Sequence, residues 1–262
     1  MDGRDKPGHD ELMADNPIKP LANRIALVTG ASRGIGAALA LQLAQAGAHV
    51  IAVARTVGGL EELDDKIKAA GGSATLVPLD VKDSDGIARL ALALNERYSR
   101  LDVLIGNAGF LGPLSPLGHV ERKDWDNLIA VNVTANWQLI RTMDPLLRQA
   151  PAGRAVFLTS AVAYKGLAYW GPYAASKAAL DALVRSYAAE SATTPVRANL
   201  FSPGPTRTRM YLGAFPGIDP LTLPTPEEIA RAIVPLCLPD CTESGKVYYF
   251  RAGKFLDFHP PS

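Results

Sequence analysis

Tyr173 and Lys177 stand four residues apart, a spacing that puts two side chains on one helix face with Cβ atoms about 5–6 Å apart. An ammonium beside a phenol favours the phenolate and draws a pKa of about 10 toward neutrality, as a group that exchanges protons near pH 7 requires. Taken alone, Tyr-x-x-x-Lys equally describes a solvated pair on a helix surface. A second group with chemical meaning is Thr29-Gly30-Ala31-Ser32-Arg33-Gly34-Ile35-Gly36, which follows a β-branched apolar run and opens a helical pattern. Glycines there allow a tight turn and a close approach of backbone to a pyrophosphate, and the helix starting inside the loop offers unpaired amides to phosphate oxygens. Without a ligand the same residues would form only a tight turn.

Loops of this kind that hold NAD place an acid about 20 residues further on, where it takes the ribose hydroxyls. Here the second apolar run ends Ala54-Arg55-Thr56, with no acid present. The Arg55 guanidinium could form a fork with a 2′-phosphate, and Arg33 adds a second positive charge. NADP(H) is therefore expected over NAD(H); otherwise Arg55 is a solvated surface charge.

The elements that must position these groups alternate along the chain. Short β-branched runs suit strands over 25–29, 49–54, 74–79, 103–106, 155–160, 196–201 and 246–250. Between them, helical patterns cover 35–46, 60–70, 84–98, 125–147, 173–191 and 226–236. Strands alternating with longer amphipathic segments predict an α/β fold: one doubly wound Rossmann domain, with seven parallel strands flanked by helices. No Pro/Gly-rich linker divides the series, so the two-domain prior from 262 residues gives way to a single domain over 21–250. In Thr225-Pro226-Glu227-Glu228, Thr is a cap, Pro fits the first helical position and Glu228 completes a capping box.

The 27 basic and 26 acidic residues leave a formal charge of +1, which recruits neither nucleic acid nor an anionic membrane. Two cysteines, and no apolar run near the roughly 18 residues that span a bilayer, exclude a disulfide scaffold and point to a cytoplasmic protein. Residues 1–20 are rich in Asp, Lys, Pro and Gly and are expected to be a disordered extension, with Met13 an alternative start. Residues 251–262 are expected to form a tail along a surface or a neighbouring subunit.

Several further motifs fall in a fixed order: Asn107-Ala108-Gly109 after the fourth strand, Asn132 in the long helix that follows, Ser160, Tyr173-x-x-x-Lys177, and Pro203-Gly204. Together with the glycine loop, the chain from about 21 to 250 resembles the short-chain dehydrogenase/reductase family. The resemblance implies an NADP(H)-dependent oxidoreductase acting on a small carbonyl or alcohol. By it, Tyr173 is the general acid for reduction or the base for oxidation, and Ser160 orients the substrate oxygen. Lys177 lowers the tyrosine pKa and holds the nicotinamide ribose, and Asn132 holds a water that relays protons to Lys177. Asp80 and Val81 match the family's adenine contacts, while Asn107, Ala108 and Gly109 line the cofactor cleft. Pro203, Gly204, Thr206 and Thr208 match its nicotinamide-carboxamide loop. A homo-oligomer, dimer or tetramer, is also implied. Ser244-Gly245-Lys246-Val247-Tyr248-Tyr249-Phe250 departs from the family's usual Gly-Gly ending after the last strand.

The Pro/Gly-rich segment at about 205–225 is long enough to act as a substrate lid, with Arg207, Arg209, Met210, Tyr211 and Phe215. With Leu111, Tyr164, Tyr169 and Trp170 it would enclose an apolar or aromatic substrate, unless these side chains pack at subunit interfaces. Arg207 and Arg209 either meet a carboxylate or a phosphopantetheine or are solvated. Cys237 and Cys241 form no ligand-spaced cluster with any histidine and are read as free thiols, so no metal is expected. His49 opens a strand and reads as structural. Two alternatives stand beside the leading reading: a reductase of 3-oxoacyl thioesters, and a dinucleotide-sensing protein without turnover.

Overall fold

The computed structural model describes residues 19–258. All but the last two residues of the expected N-terminal extension lie outside them, as do 259–262 of the tail. The central strand, β1 (Ile25–Thr29), is buried along its whole length, because parallel strands covered on both faces need apolar residues at every position. It pairs in parallel with β2 (His49–Ala54) on one side and β4 (Val103–Gly106) on the other. Outward from β2 lies β3 (Ser73–Pro78); outward from β4 lie β5 (Arg154–Leu158), β6 (Arg197–Ser202) and β7 (Val247–Tyr249). All these pairings are parallel. The chain then turns back as β8 (Lys254–Leu256), antiparallel to β7. The sheet thus has eight strands in the order 3-2-1-4-5-6-7-8 rather than the expected seven, since part of the tail adds an edge strand.

Side chains of β1 alternate between two cores. Ala26 and Val28 face α1 (Gly34–Gln45), α2 (Val57–Ala69) and α8 (Pro226–Cys237), through Leu39, Leu60 and Ile229. Ile25 and Leu27 face α3 (Ser84–Tyr98), α5 (Ala135–Gln149) and α6 (Gly171–Glu190), through Leu94, Met143 and Val184. Each fully buried side chain of this size stabilises the fold by about 1.5–3 kcal/mol. The Thr225 capping box of α8 forms in both directions: Thr225 Oγ1 accepts from Glu228 N at 3.2 Å, and Glu228 Oε2 accepts from Thr225 N at 2.7 Å. Among the described residues no helix is long and apolar enough to cross a membrane.

Where the expected helix over 125–147 was continuous, the structure has three pieces. These are α4 (Arg122–Ile129), a π-helical turn over Ala130–Thr134, and α5. The segment 205–225 also contains regular structure, α7 (Arg209–Ala214), capped by Thr208, and a 3-10 turn over Pro220–Thr222.

Candidate active site

The strand order reverses between β1 and β4, and in open α/β sheets ligands bind at the carboxyl ends of the strands beside such a switch point. At the end of β1 the chain passes through Gly30 and Gly34 with φ of +66° and +57°, values that favour glycine. A Cβ on Gly36 would collide with the Gly30 carbonyl oxygen and Asn107 Nδ2, so helix, loop and β4 close up only around a bare α-carbon. Asn107 Nδ2 donates to Thr29 O at 2.8 Å, and Thr29 Oγ1 accepts from the amides of Asn107 and Ala108. The start of α1 has no side-chain cap and no acid in its first turn, which leaves its amides available to an anion. The turn carries Ser32 and exposed Arg33, and Ile35 packs toward the core. These residues fit a dinucleotide pyrophosphate.

At one end of the crevice, Arg55 follows β2 with its side chain 67% exposed, and its guanidinium is 3.8 Å from Asp80 Oδ2. Asp80 also accepts from Lys82 N, and Val81 beside it is buried. This end is well separated from Tyr173 by the sheet order. Toward the other end, Gly204 and Thr206 turn tightly, Thr206 Oγ1 donating to Gly204 O after Pro203. Thr208 Cγ2 comes within 3.7 Å of where a Gly34 Cβ would lie, so this loop meets the glycine loop.

Past β5 the backbone remains extended through Ser160, which caps a 3-10 turn over Ala161–Tyr164. The expected strand over 155–160 is therefore shorter at its end, because Ser160 Oγ accepts from Val162 N. Helix α6 then carries Tyr173 and Lys177 on one face, with Lys177 Nζ 5.7 Å from the centre of the Tyr173 ring. Lys177 is buried and donates to Leu158 O at 2.8 Å. A Cβ at Gly109 would be 3.8 Å from Lys177 Nζ and 3.7 Å from Asn132 Oδ1, which brings loop 107–109, Asn132 and Lys177 together.

Asn132 lies in the π-helical turn, where the Ala135 amide reaches back to Ala130 O. Its side chain makes three hydrogen bonds: Oδ1 accepts from Phe110 N at 2.8 Å, and Nδ2 donates to Phe110 O and to Ser176 Oγ. Its carbonyl accepts from Asn136 Nδ2. The side chain thus pins the loop after β4 to α6.

Burial dominates the electrostatics. It pushes the Tyr173 phenol up to about 12, although the ring is only half-buried by exposure, and no lowering from Lys177 offsets it. Burial also draws Lys177 down to about 8, with Asp181 opposing. Burial outweighs the expected shift of the phenol toward neutrality in this arrangement, where Lys177 donates its hydrogen bond to the Leu158 carbonyl.

Beside Tyr173 stands an aromatic wall. Trp170 packs edge-on to Tyr173 and stacks on Phe215 after α7, centroids 5.7 Å apart, and Phe215 also meets Tyr211. Tyr164 and Tyr169 are exposed nearby, Tyr169 with φ of +72°. Arg207 donates to Pro220 O and Leu223 O and ties the start of the 205–225 segment to its end. Arg209 is exposed. Away from the crevice, His49 bonds Ser73 and Thr75 across β2 and β3, and Cys237 is buried with its thiol on Ile233 O. Sequence reasoning gave no individual role to Thr29, Thr159, Ser176 or Asp181. Asp181 had one visible signal, an acid within the apolar run of α6.

A family model described as short chain dehydrogenase matches residues 24–216. Uncharacterized oxidoreductase YciK of Escherichia coli strain K12 is 38% identical over 212 residues, which cover 80% of this chain and 84% of that protein. A short chain dehydrogenase from Shigella flexneri, solved with NADP, superposes with a TM-score of 0.84 at 34% identity, covering 89% of this chain and 99% of that one. One from Escherichia coli CFT073, solved with NADPH, gives 0.81 at 35% identity and the same coverage. The chain therefore belongs to the short-chain dehydrogenase/reductase family, an enzyme family of nicotinamide-binding oxidoreductases.

Proposed function

We propose that this enzyme uses NADP(H) to reduce a small, largely apolar carbonyl compound, or to oxidise the matching alcohol, with Tyr173 exchanging the proton. The observation that carries the reading is the Tyr173–Lys177 pair, with Lys177 beside Gly109 and Asn132 near the end of the glycine loop. When bound, NADPH supplies the reducing equivalent to the carbonyl carbon. Gly30, Ser32, Arg33, Gly34, Ile35 and Gly36 would hold its pyrophosphate, and Arg55 with Arg33 its 2′-phosphate. Asp80 and Val81 would border the adenine. Asn107, Ala108 and Gly109 would line the cleft, with Pro203, Gly204, Thr206 and Thr208 at the nicotinamide end, and Lys177 and Tyr173 at its ribose. NADP-bound relatives of the same fold support this choice of dinucleotide.

The chain's own groups divide the proton chemistry. A phenol raised to about 12 is protonated at neutral pH, the form that donates to a carbonyl oxygen. Ser160 Oγ accepts from Val162 N, which leaves its own proton to orient that oxygen. Lys177 places positive charge where the phenolate forms. Asn132, its side chain committed to Phe110 and Ser176, keeps the walls in register; the second lone pair of its carbonyl is where a relay water would rest. Trp170 and Phe215 would form the apolar side of the substrate pocket, with 205–225 as its lid. Homo-oligomerisation belongs to the same reading. Exposed Trp125 and Trp137, the latter under the Arg141 guanidinium, give α4 and α5 an apolar face that suits a second copy.

Parallel fluorescence titrations with NADPH and NADH, followed by a carbonyl screen with the tighter cofactor, test the proposal. NADPH should bind more tightly, and Arg55→Asp should weaken it about ten- to a hundredfold while leaving NADH nearly unchanged, as loss of a charge-assisted fork predicts. Equal losses for both cofactors would remove Arg55 from phosphate recognition. Turnover of an acyl-carrier thioester but of no free ketone would select the thioester reductase. Tight binding with no turnover of either class would select a sensor.

A further inference from the structure

Asp181 is an acid where an acid is costly. It lies four residues beyond Lys177 on α6, and its residue is 4% exposed. Its carboxylate accepts a hydrogen bond from Thr159 Oγ1. Thr159 is itself buried and is the residue immediately before Ser160, with its amide on Phe201 O at 2.9 Å. One side chain on the helix of Tyr173 and Lys177 is therefore tied to the strand end that presents Ser160.

The surroundings leave this carboxylate with a definite electrostatic partner. Lys177 spends its hydrogen bond on Leu158 O, and the one acidic side chain whose charge acts appreciably on it is Asp181. Arg185, the next cation along α6, reaches Asp181's backbone carbonyl with Nε and lays its guanidinium over the Phe258 ring at 4.4 Å; its charge acts on the Asp181 carboxylate more weakly than that of Lys177. From the 3-10 turn after β5, Tyr164 faces Asp181, with Tyr249 of β7 beyond it. Burial raises the Tyr164 phenol, which is therefore neutral near pH 7. On α6 the remaining titratable neighbour of Lys177 is Tyr173. From the π-helical turn and the loop after β4 come only Asn132 and backbone.

We propose that Asp181 is a positioning residue of this site: fixed by Thr159, its carboxylate holds the buried Lys177 in its ammonium form and locks the Ser160 strand end to the helix of Tyr173. The proposal rests on the Tyr173–Lys177 reading of the function. It explains why a fold would keep a desolvated acid that, among the described residues, no guanidinium or ammonium contacts directly. Burial pulls the Lys177 ammonium toward neutrality and the Asp181 charge pulls it back. Thr159 donates to the ionised carboxylate and favours that form against the burial that raises it to about 6.

The test follows the Lys177 side chain directly, by NMR of the full-length protein labelled with ¹³C at lysine Cε, the signal assigned by its loss in Lys177→Arg. In the wild type the midpoint should lie near 8. In Asp181→Asn, whose amide oxygen can still accept from Thr159, it should fall by about one pH unit, the lower end of what one nearby opposite charge is worth. Thr159→Val should move it much less, because Asp181, raised to about 6, stays largely ionised where Lys177 titrates, and Asp181→Glu should return it toward the wild-type value. The basic limb of the pH–rate profile for carbonyl reduction should shift with it. An unmoved midpoint in folded Asp181→Asn would make Asp181 merely structural and overturn the proposal. If that variant does not fold, Asp181→Ser, which also removes the charge, takes its place, and an unmoved midpoint there does the same. A wild type that reduces no carbonyl would defeat the functional reading while leaving the Lys177 titrations to decide the electrostatic link on their own.

Discussion

At the residue scale the account turns on which proton is held, and where. Tyr173 is raised by burial to about 12 and Lys177 is lowered by burial to about 8, so between pH 6 and 10 the lysine titrates first. The sign follows: below about 8 Lys177 is an ammonium and can stabilise the phenolate left after proton donation, while above it that charge is lost. For reduction, kcat/KM should be level from pH 6 to 7 and decline above about 8. Lys177→Arg, whose guanidinium stays charged throughout, should shift that decline to higher pH even if it lowers the plateau. A limb that stays at the same pH in this variant would assign it to another group.

At the element scale, the glycine loop, the loop after β4 and the start of α6 must meet without slack. The tightest meeting is at Gly36, where a methyl group would displace the Gly30 carbonyl or the Asn107 amide that ties the loop to β1. Gly36→Ala should weaken NADPH binding at least tenfold with a smaller effect on thermal stability, read by fluorescence titration and a melt; unaltered affinity would mean that the loop does not approach the cofactor. Elements with local signals were legible in the sequence. The buried runs of β1, β2 and β4 and the capped helix α3 coincide with their expected bounds, because uninterrupted apolar runs and an Asp83 cap mark their ends locally. The break at Ala130–Thr134 was not legible. It is sustained by Asn132 bonding Phe110 and Ser176, contacts 22 and 44 residues away. α7 hides in a Pro/Gly-rich segment, and β8 is three residues long and exists by pairing with β7. In the site, the Tyr173–Lys177 spacing and the glycine loop were visible as patterns. The Thr159–Asp181 bond was not, since its partners come from different elements brought together by the fold.

At the scale of the whole molecule the sheet has two unlike edges. The carboxyl ends of the strands carry the crevice, and the amino ends carry polar anchors. Arg154, at the start of β5, is buried and donates to the carbonyls of Gly153, Pro195, Leu238 and Pro239, which joins three chain connections. Arg154→Met should lower stability by about 1–3 kcal/mol, the cost of leaving buried acceptors unpaired, while NADPH affinity of the folded fraction stays at the wild-type value. A loss of affinity without a loss of stability would contradict this division of labour. The central claim, that Tyr173 exchanges the proton in an NADP-dependent reduction, is tested most directly by single-turnover oxidation of bound NADPH in wild type and in Tyr173→Phe, with a carbonyl substrate that the wild type accepts. The predicted result is NADPH binding within about twofold of wild type and a turnover rate lower by at least 10²–10⁴-fold, the range of general acid catalysis. Equal turnover rates in the two proteins would take Tyr173 out of the mechanism.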